Sequence, residues 1–181
     1  MRLKIPMREF QNKTYWIVGA SEGLGRALAI QLAKVGTKVI ISARSEERLI
    51  GLSEEIGSNT MVLPMDVSDR SSVQKACSKL PKSLDGFIFV SGVYWHMSAS
   101  SWDETKAEEM VDVNLVGAMR CLAHLIPKFI NQGFGHIVLT GSIAGYRGLP
   151  GSVGYCASKA GLMSLAAVSY THLTLPTMLW V

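Results

Sequence analysis

The sequence predicts a single α/β domain built on a parallel β-sheet, and three observations lead to this prediction. Short runs of β-branched and aromatic residues alternate with longer segments of helical periodicity. The strand candidates are apolar almost throughout, as expected of strands covered on both faces. The length of 181 residues, 48% of them hydrophobic, suits one domain with a substantial core. Strict alternation implies right-handed βαβ units and a doubly wound fold.

The predicted elements follow one another without a repeat, a linker or a low-complexity segment between them. Strands are predicted at residues 14–18, 38–42, 60–64, 86–90 and 136–140, and helices at about 23–35, 45–56, 69–79 and 103–131, with a last helix from about residue 153.

Composition and charge exclude several classes of protein. The net charge of +4 is modest, and no basic face with interleaved aromatic residues indicates a nucleic-acid surface. No apolar run approaches the length of a membrane span, and the N-terminus lacks a signal peptide, so a cytoplasmic protein without membrane contact is expected. The three cysteines and four histidines show no metal-ligand spacing, so reduced thiols and no metal site are expected.

A glycine-rich turn, GASEGLG, follows the first predicted strand directly. Such a turn lets the backbone approach a ligand closely, and the helix after it offers free N–H groups to a pyrophosphate. Its place at the start of a βαβ array favours a dinucleotide-binding (Rossmann) domain over a simple turn, although the spacing is GxxxGxG rather than GxGxxG. The predicted cofactor-binding residues in this turn are Gly19, Ser21, Glu22, Gly23, Leu24 and Gly25.

The end of the second predicted strand indicates which dinucleotide is bound. An NAD site usually places an acidic residue there to hold the ribose hydroxyls, whereas an NADP site favours an arginine. This strand ends in ISAR, with Arg44 placed to bind a 2′-phosphate and no acidic residue before Glu46. The alternative is a surface arginine at a strand end. The pattern favours NADP(H) over NAD(H).

A second group of residues indicates acid–base chemistry. Tyr155 and Lys159 are four residues apart in the last predicted helix and therefore lie on one face. A neighbouring ammonium stabilises a phenolate, which a tyrosine needs to act as general acid or base. Ser142 follows the fifth strand, where a hydroxyl can polarise a carbonyl oxygen. Taken singly, each of these residues is more often an ordinary surface residue.

Taken together, these residues resemble the short-chain dehydrogenase/reductase family. Order and spacing agree from about residue 10 to residue 167. The matching motifs are the glycine turn Gly19–Gly25, MDV with Asp66 and Val67, VNLVG with Asn114, GSIAG with Ser142, and YCASK with Tyr155 and Lys159.

The resemblance implies a role for each residue of the catalytic set. Tyr155 would deliver a proton to a carbonyl as hydride arrives from the nicotinamide. Lys159 would stabilise the phenolate and hold the nicotinamide ribose, and Tyr155 and Lys159 are therefore also expected to be cofactor-binding residues. Ser142 would position the substrate oxygen, and Asn114 would hold a water that relays protons.

The resemblance also implies further cofactor contacts. Asp66 would contact the adenine, with the Val67 backbone beside it. The chain departs from the family after the fourth strand, where FVSG replaces an NNAG-like loop, and of this loop only Gly92 survives. Residues 94–97 (YWHM) come next in the chain. They either line the substrate side or form a plain apolar loop.

The expected function is that of an NAD(P)(H)-dependent oxidoreductase, an enzyme that transfers hydride between nicotinamide and a small-molecule carbonyl/alcohol pair. The alternatives are a non-catalytic NAD(P)-binding relative, an inactive truncated fragment, and an epimerase or dehydratase of the extended branch. Epimerases and dehydratases of the extended branch usually carry a TGxxGxxG turn, so the GxxxGxG spacing in this chain favours the shorter branch of the family. The family often pairs through its fourth and fifth helices, so a homo-oligomeric parent is expected.

The C-terminal residues do not continue the family pattern. The uncharged peptide VSYTHLTLPT, residues 168–177, is letter for letter the translation of codons in a transposon sequencing adapter. We therefore expect residues 1–167 to be a genuine but C-terminally truncated Rossmann domain and residues 168–181 to be a non-native read-through tail. We also expect the last helix to break near Val168, the fifth strand to have an exposed edge, and the truncated chain to be inactive.

Overall fold

The computed structural model of the chain describes residues 9–172 and 178–180. Six strands in this part of the chain form one sheet in the order β3-β2-β1-β4-β5-β6, and every neighbouring pair is parallel. The order reverses between β1 and β4, as in a doubly wound (Rossmann) fold, which confirms the predicted fold class. The strands are β1 (Thr14–Val18), β2 (Lys38–Ser42), β3 (Thr60–Val62), β4 (Gly86–Phe89), β5 (Ile137–Leu139) and β6 (Met178–Trp180).

Helices alternate with these strands, and the long helix predicted at 103–131 is divided by a π-helical turn, Asp112–Val116. A short 3₁₀ turn, Ile143–Gly145, follows β5. The helices of the described chain are α1 (Gly23–Lys34), α2 (Glu46–Ile56), α3 (Arg70–Ser78), α4 (Glu104–Val111), α5 (Gly117–Gln132) and α6 (Val153–His172).

The first residues of the helices explain where most of them begin. Ser45, Asp69 and Asp103 each accept a hydrogen bond from a backbone N–H two or three residues ahead, which caps α2, α3 and α4. Among α1 to α4, the start of α1 differs, because its N-cap residue Glu22 makes no such side-chain bond. The first N–H groups of α1 therefore remain open towards the carboxyl edge of the sheet.

Hydrophobic side chains cover both faces of the sheet. β1 shows this directly, because Trp16 points into one cluster with Phe129 of α5, and Ile17 points into the other with Leu49 of α2. All four side chains are fully buried. Burial of each side chain of this size contributes about 1.5–3 kcal/mol, so the two layers of helices stabilise the central strands.

The helical stretch Glu104–Gln132 is, within the described residues, the one helix long and apolar enough to cross a membrane by length and composition. This corrects the expectation that no run reaches that length. Leu125 and Phe129 of this stretch are fully buried in the core, and Asn114 is buried in its π-turn. The stretch packs as the core helix of an α/β domain.

The C-terminal part corrects two expectations. The helix does not break near Val168, because α6 continues to His172. Each residue added to an existing helix gains a hydrogen bond, and the next proline after Val168 in the sequence is Pro176. The β5 edge is also not open, because β6 pairs along it, Ile137 with Met178 and Leu139 with Trp180. An unpaired edge readily accepts an apolar strand. The boundary between residues 167 and 168 stays a prediction.

Candidate active site

A cleft of about 450 Å³ opens at the carboxyl edge of the sheet, where the strand order reverses. It is lined by residues that follow β1, β2, β3 and β4, which is where open α/β sheets bind ligands. The structure brings most of the predicted cofactor-binding residues to this one cleft: Gly19, Ser21, Glu22, Gly23, Leu24, Gly25, Arg44, Asp66, Val67 and Gly92.

The glycine turn is packed closely between two loops. The N–H groups of Gly19 and Ala20 donate to the Ser42 carbonyl at 2.8 and 3.1 Å, which ties the turn to the end of β2. Gly19 has φ +97°, and a Cβ there would overlap the backbone of Ser91 after β4. A Cβ at Gly25 would overlap the Gly19 carbonyl oxygen. Glycine is therefore required at both positions, because a Cβ would prevent these backbone segments from packing so closely. The close packing leaves the start of α1 accessible to a ligand.

Basic and acidic side chains stand at the outer end of the cleft. Arg44 is exposed directly after β2. Sequence reasoning missed Arg48, which also lines the cleft from the first turn of α2 and bonds to Glu22 at 2.6 Å. Both partners of this ion pair are more than half exposed, so it contributes little, and Arg48 can exchange partners easily. The sequence did contain a signal for Arg48 as a cleft residue, because it lies one helical turn after Arg44.

Asp66, at the inner side of the cleft, is held in place by its own loop. Its Oδ1 accepts hydrogen bonds from the Ser68 N–H at 2.9 Å and the Ser68 hydroxyl at 2.7 Å. The backbone N–H of Asp66 donates to Ser72 Oγ at 3.0 Å. These contacts orient the carboxylate at the edge of the cleft, as a ligand-binding side chain requires.

The π-turn places Asn114, fully buried, beside the cleft. Its Oδ1 accepts from the Val93 N–H at 2.7 Å, and its Nδ2 donates to the Val93 carbonyl at 3.0 Å and to Ser158 Oγ at 3.1 Å. The Ser158 hydroxyl donates in turn to the Tyr155 carbonyl at 2.8 Å. One amide thus joins the loop after β4 to the helix that carries Tyr155. Short π-helical insertions are frequent at functional sites.

The Tyr155–Lys159 pair lies on α6, outside the residues that line the cleft. Lys159 is only 5% exposed, and its ammonium donates to the Thr140 carbonyl at 2.8 Å. The same Nζ lies 5.6 Å from the centroid of the Tyr155 ring. Burial lowers the pKa of the Lys159 ammonium below its ordinary value of 10.5. The positive charge beside the ring is the field that stabilises a phenolate.

Ser142 lies at the same carboxyl end of β5, two residues after Thr140. Its Oγ accepts from the Ala144 N–H at 3.1 Å and so caps the 3₁₀ turn. This turn packs against α6, because a Cβ at Gly145 would come within 3.0 Å of the Lys159 backbone. The structure therefore holds the segment that carries Ser142 against the helix that carries the Tyr155–Lys159 pair.

Residues 13–174 match the family described as short chain dehydrogenase. The chain belongs to the short-chain dehydrogenase family. An uncharacterized oxidoreductase of Listeria monocytogenes is 33% identical over 165 residues, which are 87% of this chain and 66% of that protein. The 3-oxoacyl-(acyl-carrier-protein) reductase of Rickettsia typhi is also 33% identical, covering 91% and 68% of the two chains.

Solved structures of this family superpose well. The closed form of a serine dehydrogenase complexed with NADP⁺ gives a TM-score of 0.86 at 27% identity, over 89% of this chain and 66% of the other. A short chain dehydrogenase from Bacillus anthracis gives 0.86 at 22% identity, over 91% and 69%. The chain thus spans about two thirds of the length of the family members it matches.

Replacement of Lys159 by Met tests the burial of the ammonium. Because its pKa is lowered on folding, the unfolded chain binds more protons between that lowered pKa and 10.5, so the unmodified protein gains stability as pH rises through this window. We expect the stability of Lys159→Met relative to the unmodified protein to decrease over this pH range. The loss of the hydrogen bond to Thr140 also lowers the stability of the variant, by an amount that does not depend on pH.

Urea unfolding at a series of pH values from about 7 to about 10 measures this difference. Lys38→Met, at an exposed lysine at the start of β2, is the control and should show no such trend. A stability difference for Lys159→Met that stays constant with pH would contradict the prediction.

Proposed function

We propose that this chain is part of an NADP-preferring short-chain dehydrogenase/reductase that interconverts a small carbonyl compound and an alcohol, with Tyr155 as general acid/base. One observation carries the proposal. The Asn114 amide binds both the loop that lines the cleft and Ser158 on the helix of Tyr155 and Lys159. A ligand in the cleft and the acid–base pair on α6 then belong to one site.

The residues around the cleft fit a dinucleotide. A volume of about 450 Å³ lies within the usual range of ligand sites, about 300–1,000 Å³. The open N-terminus of α1 and the glycine cradle at Gly19 and Gly25 suit a pyrophosphate. When bound, the nicotinamide dinucleotide would supply or accept the hydride.

The chain's own groups then handle the proton and the substrate oxygen. In the reductive direction, the Tyr155 hydroxyl gives its proton to the carbonyl oxygen, and the Lys159 ammonium stabilises the phenolate that remains. Ser142 Oγ donates to the same oxygen and polarises the carbonyl. Asn114 holds the helices and the loop in register, and a water at this turn returns a proton to Tyr155.

The preference for NADP(H) rests on the arginines at the outer cleft. Arg44 and Arg48 both line it, and a guanidinium binds a 2′-phosphate through paired, charge-assisted hydrogen bonds. Glu22 is the acidic side chain that pairs with Arg48. The serine dehydrogenase complexed with NADP⁺ is a relative with this fold, which supports the same preference here.

The remaining features of the proposal concern the parent protein. We place it in the cytoplasm as a homo-oligomer that acts on a small molecule, without a nucleic-acid or membrane partner. Residues 168–181 are proposed to be a read-through tail, because the peptide from Val168 to Thr177 equals the translated adapter letter for letter. The active enzyme is then encoded by the source gene read onward from codon 167.

Replacement of Arg44 by Ala tests the cofactor preference. A hydrogen bond to a charged group contributes about 1.5–3 kcal/mol, so we expect NADPH to bind about 10- to 100-fold more weakly and NADH to be affected little. Calorimetric titration measures both affinities. Arg70→Ala, at an exposed arginine at the start of α3, is the control and should change neither. An equal loss for the two cofactors, or no loss, would argue against a 2′-phosphate contact.

Replacement of Tyr155 by Phe tests the chemistry. The assay follows NADPH oxidation with a panel of ketones and aldehydes, on the 181-residue chain and on the source gene product in parallel. We expect only the second to be active, and Tyr155→Phe to lower its kcat by about 10²- to 10⁴-fold, because general acid catalysis is lost. NADPH affinity should stay nearly unchanged.

Tyr146→Phe is the matched control, because Tyr146 lies 77% exposed in the turn after Ser142 and its hydroxyl has no assigned role. A source gene product that binds NADPH but reduces no carbonyl compound would favour the non-catalytic alternative. Full activity in Tyr155→Phe would refute the assigned role.

A further inference from the structure

The loop after β4, residues 90–103, folds back against the segment that precedes α6. The Met97 N–H donates to the Gly151 carbonyl at 2.9 Å, and Met97 and Ser152 form an isolated parallel bridge. Met97 and Ser152 are both more than nine-tenths buried. The backbone of the loop is therefore held beside the first turn of the helix that carries Tyr155.

Tyr94 lies in this loop, and its ring contacts Tyr155. The two ring centroids are 5.2 Å apart and the ring planes are inclined at 80°, which is a favourable edge-to-face arrangement. The Lys159 ammonium lies 5.6 Å from the centroid of the Tyr155 ring, and Tyr155 also packs against the cluster of Met97, Ala107 and Met110. The Tyr155 side chain is thus contacted by a cation from its own helix and by an aromatic ring from the loop after β4.

The hydroxyl of Tyr94 is anchored although half of the residue is exposed. Its Oη lies 3.1 Å from the buried Ser152 Oγ and 3.3 Å from His96 Nδ1. The His96 ring in turn lies over Gly151, where a Cβ would overlap the imidazole. An exposed tyrosine without such partners would sample several rotamers, whereas these contacts select one.

We propose that Tyr94 is a positioning residue for Tyr155: its ring, anchored by Ser152 and His96, restricts the Tyr155 phenol to the orientation in which it transfers a proton. This inference rests on the proposed role of Tyr155 as general acid/base. Proton transfer requires the reacting groups within hydrogen-bond reach, and a displacement of about 1 Å can cost about 100-fold in rate. Tyr94 acts through Tyr155 and exchanges no proton itself.

The proposal is tested with Tyr94→Leu, which removes the ring, and Tyr94→Phe, which removes only the hydroxyl. We expect Tyr94→Leu to lower kcat about 10- to 100-fold with little change in the KM for the carbonyl substrate or in NADPH affinity. Tyr94→Phe should give a rate between those of Tyr94→Leu and the unmodified protein, because the ring remains but loses the hydroxyl contacts that select its rotamer. Trp102→Leu is the matched control, because Trp102 is an exposed aromatic residue of the same loop to which no role in the site is assigned.

A second readout does not depend on turnover. In protein with isotope-labelled tyrosine rings, the Tyr155 signals are assigned by their disappearance in Tyr155→Phe. These signals should shift in Tyr94→Leu, because the ring current of Tyr94 is lost, and should stay in place in Trp102→Leu. Tyr155 signals that are insensitive to Tyr94→Leu would overturn the proposal.

The two readouts separate this proposal from the proposed function. An active source gene product whose kcat falls equally in Tyr94→Leu and Trp102→Leu, or in neither, contradicts the positioning role alone. A source gene product without turnover in its unmodified form contradicts the proposed function, whatever the Tyr155 signals show.

Discussion

The buried side-chain amide of Asn114 is the interaction on which the candidate site depends. It uses three of its four hydrogen-bonding positions, two towards Val93 and one towards Ser158. A buried amide without such partners would be costly, so the amide specifies the positions of both elements that it bonds. The departure from α-helical geometry at Asp112–Val116 accompanies this placement.

The remaining parts of the site follow from the sheet. The loop after β4 meets the glycine turn at Ser91 and meets Asn114 at Val93, so it connects the cleft to the helix of Tyr155 and Lys159. The replacement of the family's asparagine-containing loop by FVSG does not leave this connection open. The Val90 N–H donates to the Val18 carbonyl at 2.9 Å, and Asn114 holds the next residues. Local contacts thus anchor the FVSG segment on both sides.

Much of the fold could be predicted because hydrophobic periodicity reports burial directly. The strands at 14–18 and 38–42 have the predicted bounds, and the third strand ends early, at Val62, two residues before Pro64. The cofactor cleft could be predicted because a glycine turn between a strand and a helix has few other uses.

The π-turn could not be predicted, since a shifted hydrogen-bond pattern leaves no trace in residue spacing. The sequence offered a signal for Arg48, one helical turn after Arg44, and it placed Tyr94 in the YWHM loop. Their contacts with Glu22 and Tyr155 could not be predicted, because these contacts join distant segments. The break of α6 near Val168 and the open edge of β5 were predicted wrongly. The sequence pattern does not show that the residues after an existing helix extend it, or that an open strand edge pairs with an apolar segment nearby.

The central claim is that one amide joins the cleft loop to the helix of Tyr155 and Lys159, and amide hydrogen exchange tests it most directly. In Asn114→Ala, exchange should accelerate both at Val93, whose N–H loses its acceptor, and in the first turns of α6, while the core residues of α5 around Leu125 keep their protection. In Ser158→Ala, the Val93 amide should stay protected. Unchanged exchange at Val93 or in α6 of Asn114→Ala would contradict the claim that Asn114 couples the two halves of the site.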